Sequence, residues 1–297
     1  MSLDRELEKF YNYISTEKGY SLNTLDSYSN DLKLLSNYLE SKNKKSWEKI
    51  ETSDINNYFS SISNNSKTTL KRKHASIRSF FKFLENENQD VNNILEKIKT
   101  PKIGSPIPKP LSIKEIEKII NFKNINEEDF TNTSIFILMY ASGLRVSEVI
   151  FVKLGEIDLK QKTIKVTGKG NKQRVLPIYD DAANYIYSYI NSVRKNLTNN
   201  HSYSSKLFVR KNSKKITRQY VWRKLKERTI KVGISKNVTP HMIRHSFATH
   251  LLQGGASIRH VQEFLGHNSV ESTQIYTKIP NEKLIKDYNL AHPRGNK

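Results

Sequence analysis

A mainly α-helical chain with one small antiparallel β-sheet, folded as two domains, is the class this sequence predicts. Three observations carry that expectation. Apolar residues recur every three or four positions through most of the 297 residues, the period of a half-buried helix. Residues 163–166 and 174–177 instead alternate, on either side of Gly168-Lys169-Gly170-Asn171, as the arms of a hairpin do. Residues 100–110, TPKIGSPIPKP, hold four prolines and a glycine and cannot continue a helix. They read as a linker, long enough to pass around a ligand, between a first domain at 1–99 and a second at 111–297.

The first domain reads as four helices. Leu3, Leu7, Phe10, Tyr11 and Ile14 mark one face, and Leu25, Tyr28, Leu32, Leu35 and Leu39 a second, with Asn23 or Thr24 as its N-cap. Ile55, Tyr58, Phe59 and Ile62 follow Thr52 and Ser53 as a third. Leu70, Ile77, Phe80, Phe81 and Leu84 mark a fourth, whose polar face carries Lys67, Lys71, Arg72, Lys73, Arg78 and Lys82. Such a face suits solvent and a phosphate backbone equally well.

Past the linker, Ser112 and Glu115 form a capping box ahead of Ile116, Ile119 and Ile120. Residues 134–141, SIFILMYA, read as a buried helix that ends near Gly143. Arg145 and Glu148 then share a helix face, where a surface ion pair of small worth is the plain reading. The hairpin follows, with Lys169 held out on its turn, a place for solvated filler or for a hand on a phosphate. Residues 181–193 place Ile186, Tyr189, Ile190 and Val193 toward a core. Thr217 opens TRQYVWRKLKERTIKVG, crowded by Arg218, Arg223, Lys224, Lys226, Arg228 and Lys231. With Gln219 and Tyr220 at its start, a helix this basic suits a DNA groove.

After Pro240, Ile243, Phe247 and Leu251 recur every four residues, while His241 and Arg244 share another face of the same helix. Gly254 and Gly255 stop it; Ile258, Val261, Phe264 and Leu265 form the next helix, which ends at Gly266, and His267 follows at once. Residues 281–290, NEKLIKDYNL, put Leu284, Ile285 and Tyr288 at helical spacing. A helix this short has to pack on something, either its own domain or a neighbouring subunit.

Composition bounds what these elements can do. With 36% hydrophobic and 10% aromatic residues, there is material for real cores. The absence of cysteine excludes disulfides, thiolate catalysis and cysteine zinc sites, and suits a reducing cytosol. The opening MSLDRELEKF is charged, with no apolar signal region, and the longest apolar run, residues 135–141, is far too short to cross a bilayer. The expectation is a soluble, cytoplasmic protein with no membrane partner. Net charge is +21, unevenly placed: residues 1–110 hold 18 Lys+Arg against 14 Asp+Glu, residues 111–297 hold 32 against 15. A Lys- and Asn-rich genome accounts for some of that surplus, but its concentration in the second domain points to a polyanion, most simply nucleic acid.

Between residues 239 and 277 the chain gathers two histidines, an arginine and a tyrosine at turns and helix starts: His241, Arg244, His267 and Tyr276. Cutting a phosphodiester with a side-chain nucleophile requires such a set, since cations and donors hold the phosphate while a phenol attacks it. Two other readings use the same residues. His241 and His245, four apart on a helix, suit zinc, though no HExxH pattern or carboxylate cluster accompanies them. In a DNA-binding protein without chemistry, Tyr276 would be one packing residue among 15 tyrosines.

Taken in order, SGLRVSE, VTGKGNKQRVLPI, TRQYVWRKLK, TPHMIRHSFATHLLQGGASIRHVQEFLGH, STQIYT and AHPR resemble the motif series of the tyrosine recombinases of the integrase superfamily, in particular the Xer branch. The resemblance spans the catalytic domain; the first domain is similar to the family's SAM-like core-binding domain in length, helical pattern and linker alone. It implies Tyr276 as nucleophile, Arg145 and Arg244 on the scissile phosphate and Lys169 as acid to the 5′ oxygen. His241 would take part in proton transfer, His267 would donate to a phosphate oxygen, and Glu148 would orient Arg145. No cofactor or metal is implied. The implied partners are double-stranded DNA, a second Xer recombinase in a cyclic homo- or heterotetramer, and a septal DNA translocase; the basic helix faces offer Lys71, Arg72, Arg218, Gln219 and Arg223 as the DNA contacts. The implied place is the nucleoid. The implied activity is strand exchange through a 3′-phosphotyrosine and a Holliday junction, resolving chromosome dimers at a dif-like site, with a phage or mobile-element integrase as the alternative. Two-domain length without an arm-binding domain favours the former. Ser272 stands where many relatives have threonine and Lys278 where histidine is frequent; neither belongs to the implied catalytic set.

Overall fold

Helices dominate both halves of the molecule. The computed structural model describes residues 3–16, 22–87, 109–168, 173–198, 204–211, 214–266 and 282–295. The chain divides into two compact units, Met1–Pro106 and Ile107–Lys297. Residues 100–108 of the proline-rich segment lie outside the described residues, as do Lys169, His267 and Tyr276.

The first unit holds α1 (Leu3–Thr16), α2 (Leu22–Ser41), α3 (Thr52–Ser61) and α4 (Lys67–Asn86). Their apolar stripes meet in one core that includes Phe10, Leu32, Leu35, Ile55, Phe80 and Phe81. Trp47, between α2 and α3, joins it and donates its indole N–H to the Leu3 carbonyl at 3.0 Å. Helix α2 begins at Leu22, ahead of the expected caps Asn23 and Thr24. The basic face of α4 also differs from the expectation at one residue. Lys73 is buried, its ammonium 3.0 Å from the Asp31 carboxylate. Asp31 is itself fully enclosed, and a buried carboxylate needs that cation.

The second unit starts on the capping box, with the Ser112 hydroxyl and Glu115 carboxylate reciprocally capping α5 (Ile113–Ile120). Then come α6 (Glu127–Ser142), α7 (Val146–Phe151), β1 (Ile157–Asp158), β2 (Thr163–Thr167), β3 (Gln173–Pro177) and α8 (Asp180–Tyr189). A π-turn, Ile190–Arg194, extends α8. They are followed by α9 (Arg218–Lys231), α10 (Pro240–Gln253), α11 (Ile258–Leu265) and α12 (Glu282–Ala291). The sheet is antiparallel in the order β1-β2-β3, with Ile164 opposite Leu176 and Val166 opposite Arg174. Two-residue β1 was too short to show as alternation. α6 is buried along most of its length and runs through the core, flanked by α5, α8, α9 and α10.

Two features of α6 and α12 shape what lies beside them. The C-cap of α6, Gly143, is left-handed at φ 59°, and a Cβ there would stand 2.4 Å from the buried Phe247 ring. Gly143→Ala should therefore cost about 2–4 kcal/mol, from backbone strain plus overpacking, measured by urea denaturation. Helix α12 packs on its own domain, one of the two options its spacing left open. Tyr288 is fully buried and donates to the Ala141 carbonyl at 2.8 Å. Gly254 lets the Ala291 carbonyl come so close that a Cβ would lie 2.0 Å from its oxygen.

Candidate active site

The end of one helix and the start of the next build the centre of the site. At the last turns of α6 the backbone carbonyls have no intrahelical partners, and side chains take them up. Tyr288 serves Ala141, and the Arg244 guanidinium donates to Gly143 at 2.7 Å. The chain then turns at Gly143 and α7 begins, with Arg145 at its N-cap. The Arg145 amide donates to Glu148 Oε2 at 2.7 Å, and its guanidinium donates to Glu148 Oε1 at 3.0 Å. Arg145 and Glu148, read as a plain surface pair in the sequence, are thus unequal: the Arg145 side chain is 43% exposed and the Glu148 side chain 5%.

Arg244 reaches the same place from α10. Thr239 caps that helix by accepting from the Met242 amide, and Pro240 occupies its first turn. Ile243, Phe247 and Leu251 face the core as their spacing predicts. Arg244 is buried near the positive end of its own helix, an unfavourable place for a cation. Three groups compensate: the Gly143 carbonyl, the Leu265 carbonyl at the end of α11, and Glu148 Oε2 at 3.6 Å. Burial and the neighbouring Arg145 charge still lower its pKa to about 10, against the pull of Glu148, so it remains a cation at neutral pH.

Glu148 meets a third guanidinium, which the sequence reading passed over. Arg174 on β3 grips it with two hydrogen bonds, Nη1 to Oε1 at 3.0 Å and Nη2 to Oε2 at 3.1 Å. Burial would raise the Glu148 carboxyl, but Arg174, the Arg145 amide and the Arg244 charge outweigh it and hold the group below the usual carboxylate range. It is an anion among three cations, and the cluster keeps a surplus of two positive charges. A signal for Arg174 was present in the strand pattern. It pairs with Val166 on the face that carries Ile164 and Leu176, and an arginine on an inward face implies a buried acceptor.

His241 lies one turn before Arg244 on α10, exposed to solvent. The structure therefore brings Arg145, Glu148 and Arg244 together and places His241 on the same helix as Arg244. Lys169 belongs to the segment between β2 and β3, His267 follows Gly266 in sequence, and Tyr276 comes later; all three lie outside the described residues. Among the described residues no group of three His, Cys, Asp or Glu side chains is placed to hold a metal ion. Nor is any described helix long and apolar enough to cross a membrane.

The expected DNA-contact residues divide. Lys71, Arg218, Gln219 and Arg223 are exposed. Arg72 is half-buried and pairs with Asp31 while donating to the Ser27 carbonyl at 3.1 Å. On α9 the crowd of cations is partly structural. Arg228 is buried, bonded to the Ile119 carbonyl at 2.9 Å and lying 3.9 Å from the Phe122 ring centre. Lys224 pairs with Glu128 and Glu227.

Comparison with known proteins decides the family. The model of the phage integrase family matches residues 109–283, and that of the phage integrase N-terminal SAM-like domain matches residues 7–88. The chain belongs to the phage integrase family. It is 37% identical to the tyrosine recombinase XerD of Oceanobacillus iheyensis over 99% of this chain and all of that protein. Members of this family of tyrosine recombinases cut and rejoin DNA by site-specific recombination, and this integrase is such an enzyme. Its fold is shared with XerH recombinase bound to a palindromic difH substrate, at 23% identity, a TM-score of 0.69 and coverage of 96% of this chain and 83% of that one. A lambda integrase tetramer bound to a Holliday junction also shares it, at 18% identity, a TM-score of 0.68 and coverage of 94% and 81%.

Proposed function

We propose that this integrase cleaves one DNA strand at a time with Tyr276, stores the broken bond as a 3′-phosphotyrosine, and rejoins it to a partner's 5′-hydroxyl through a Holliday junction. The observation that carries the reading is the arginine cluster around Glu148, with its two surplus positive charges. A phosphodiester carries one negative charge, and a second accumulates as the phenol adds. Fixed guanidiniums supply that compensation without reorganising, and more strongly in the transition state than in the ground state. Arg145, the more exposed, and Arg244, fixed by two backbone carbonyls, hold the phosphate. Glu148 orients them and does no proton transfer, because it stays ionised.

The phenol, with a reference pKa of about 10, loses its proton as it attacks, and His241 and His267 serve proton transfer and phosphate binding. Lys169 protonates the leaving 5′ oxygen. Because bond energy is kept in the ester, no ATP is consumed, and the arginines supply the charge a metal would bring. The duplex is contacted by Lys71, Arg72, Arg218, Gln219 and Arg223. The enzyme acts in a cyclic tetramer on DNA; a lambda integrase tetramer bound to a Holliday junction shares its fold. Similarity to XerD over nearly the whole chain favours the Xer role, chromosome-dimer resolution at a dif-like site, over that of a mobile-element integrase. The proposed partners are a second Xer recombinase and a septal translocase, and the proposed place is the cytoplasm.

A nicked suicide-substrate library tests this. The trapped covalent strand gives the target site directly, and EDTA should leave the yield of adduct unchanged. Loss of cleavage in EDTA that added zinc restores would favour the metal-nuclease reading on His241 and His245.

A further inference from the structure

We propose that Arg174 is a positioning residue of the cleavage reaction. It joins the strand that follows Lys169 in sequence to the two phosphate-gripping arginines and to the helix end after which His267 comes. The inference rests on the functional reading above and adds a residue to it.

The geometry is that of a three-way tie. Two donors of the Arg174 guanidinium take both oxygens of Glu148, while Nε donates to the Phe264 carbonyl at 3.1 Å. Phe264 lies in the last turn of α11, where carbonyls have no helical partner and attract a cation. The next carbonyl along, that of Leu265, accepts from Arg244. Two arginines from different elements thus hold two consecutive carbonyls at one helix end, and both also face Glu148. Gly266 completes the arrangement. It is left-handed at φ 62°, and a Cβ there would stand 3.3 Å from Arg174 Cζ, Nε and Nη1, so the backbone passes against the guanidinium.

Each contact of Arg174 therefore leads to a different part of the catalytic set. Through Glu148 it fixes Arg145, whose guanidinium shares Oε1 with it. Through the end of α11 it fixes the backbone directly before His267. Through β3 it fixes the strand that follows Lys169 in sequence. The Arg174 guanidinium commits Nε and both terminal nitrogens to protein acceptors, which assigns it to alignment. Lysine cannot replace it. A single ammonium is a point donor, while the site needs a planar fork and a third N–H pointing elsewhere.

The test compares wild type, Arg174→Gln, Arg174→Lys, Glu148→Gln and the double variant Glu148→Gln/Arg174→Gln. Two quantities are read on a nicked half-site: the equilibrium Kd and the single-turnover rate of covalent adduct formation. Misplacing a catalytic group by an ångström costs about 10²-fold in rate, and that is the fall expected for Arg174→Gln, with Kd within about threefold of wild type. Arg174→Lys should recover little of it. The double variant should be no slower than the slower single one, because both act through the same tie. If Arg174→Gln melts below the assay temperature, Arg174→Lys carries the test, with a fall of at least about tenfold expected. The proposal is overturned if a folded Arg174 variant forms adduct at the wild-type rate, or if rate and binding fall together. A wild-type chain that forms no adduct overturns instead the functional reading on which the proposal rests.

Discussion

Replacing Tyr276 with phenylalanine should abolish the covalent protein–DNA adduct while leaving half-site binding unchanged. One oxygen is lost, and the basic surface and the arginine cluster are kept. Removing the nucleophile from a cooperating catalytic set costs about 10⁴-fold or more, so no detergent-resistant band should appear on a gel at any practical time. The binding arm of the experiment matters as much. Phosphate contacts dominate affinity for DNA, and a phenol-to-phenyl change neutralises none of them, so the Kd and its salt dependence should match wild type. A detergent-stable adduct in the variant would remove Tyr276 from its role.

The second large effect concerns stability. Among the described residues Glu148 is the anion that Arg145, Arg174 and Arg244 share, and Arg174 and Arg244 are themselves mostly buried. Glu148→Ala would leave those two cations close together with backbone carbonyls but no carboxylate between them, and breaking a buried pair from one side costs about 3–5 kcal/mol. Urea denaturation should show that loss, together with loss of cleavage. The pH dependence has a definite sign. Because the Glu148 carboxyl is held below its ordinary value in the folded chain, its contribution is fully present at neutral pH. It is lost as pH falls from the ordinary carboxylate range through the lowered folded value. The stability gap between wild type and Glu148→Gln should therefore narrow on acidification; a gap that widened would contradict the assignment.

The sequence made much of this visible, for reasons that differ by residue. Pro240 at a helix start, Ser112 with Glu115, and the glycines at 143 and 266 are local signals, and each sits at the helix end it announces. Arg145, Glu148 and Arg244 were legible as a set through the ordered motifs, while their convergence on one carboxylate was not, because it joins segments about a hundred residues apart. Arg174 was missed although its strand register put it on an inward face. Cations were read as surface by default, and Lys73 and Arg228 show the cost of that default. Each is buried against an acceptor on another helix, Asp31 and the Ile119 carbonyl, and helical periodicity marks which positions are apolar without revealing which charged ones have partners inside. The tail helix illustrates a different limit. Its apolar face was plain, but spacing alone names no partner, and the Ala141 carbonyl that receives Tyr288 lies 147 residues earlier.

The claim that everything else depends on is that a tyrosine following the arginine cluster becomes joined to a 3′-phosphate. Trapping the adduct on a nicked substrate, digesting it and mapping the DNA-linked peptide by mass spectrometry measures this directly. One modified residue is expected, Tyr276, carrying a 3′-phosphate, with a free 5′-hydroxyl on the released strand. A peptide modified elsewhere, or a tyrosine joined to a 5′-phosphate, would contradict it.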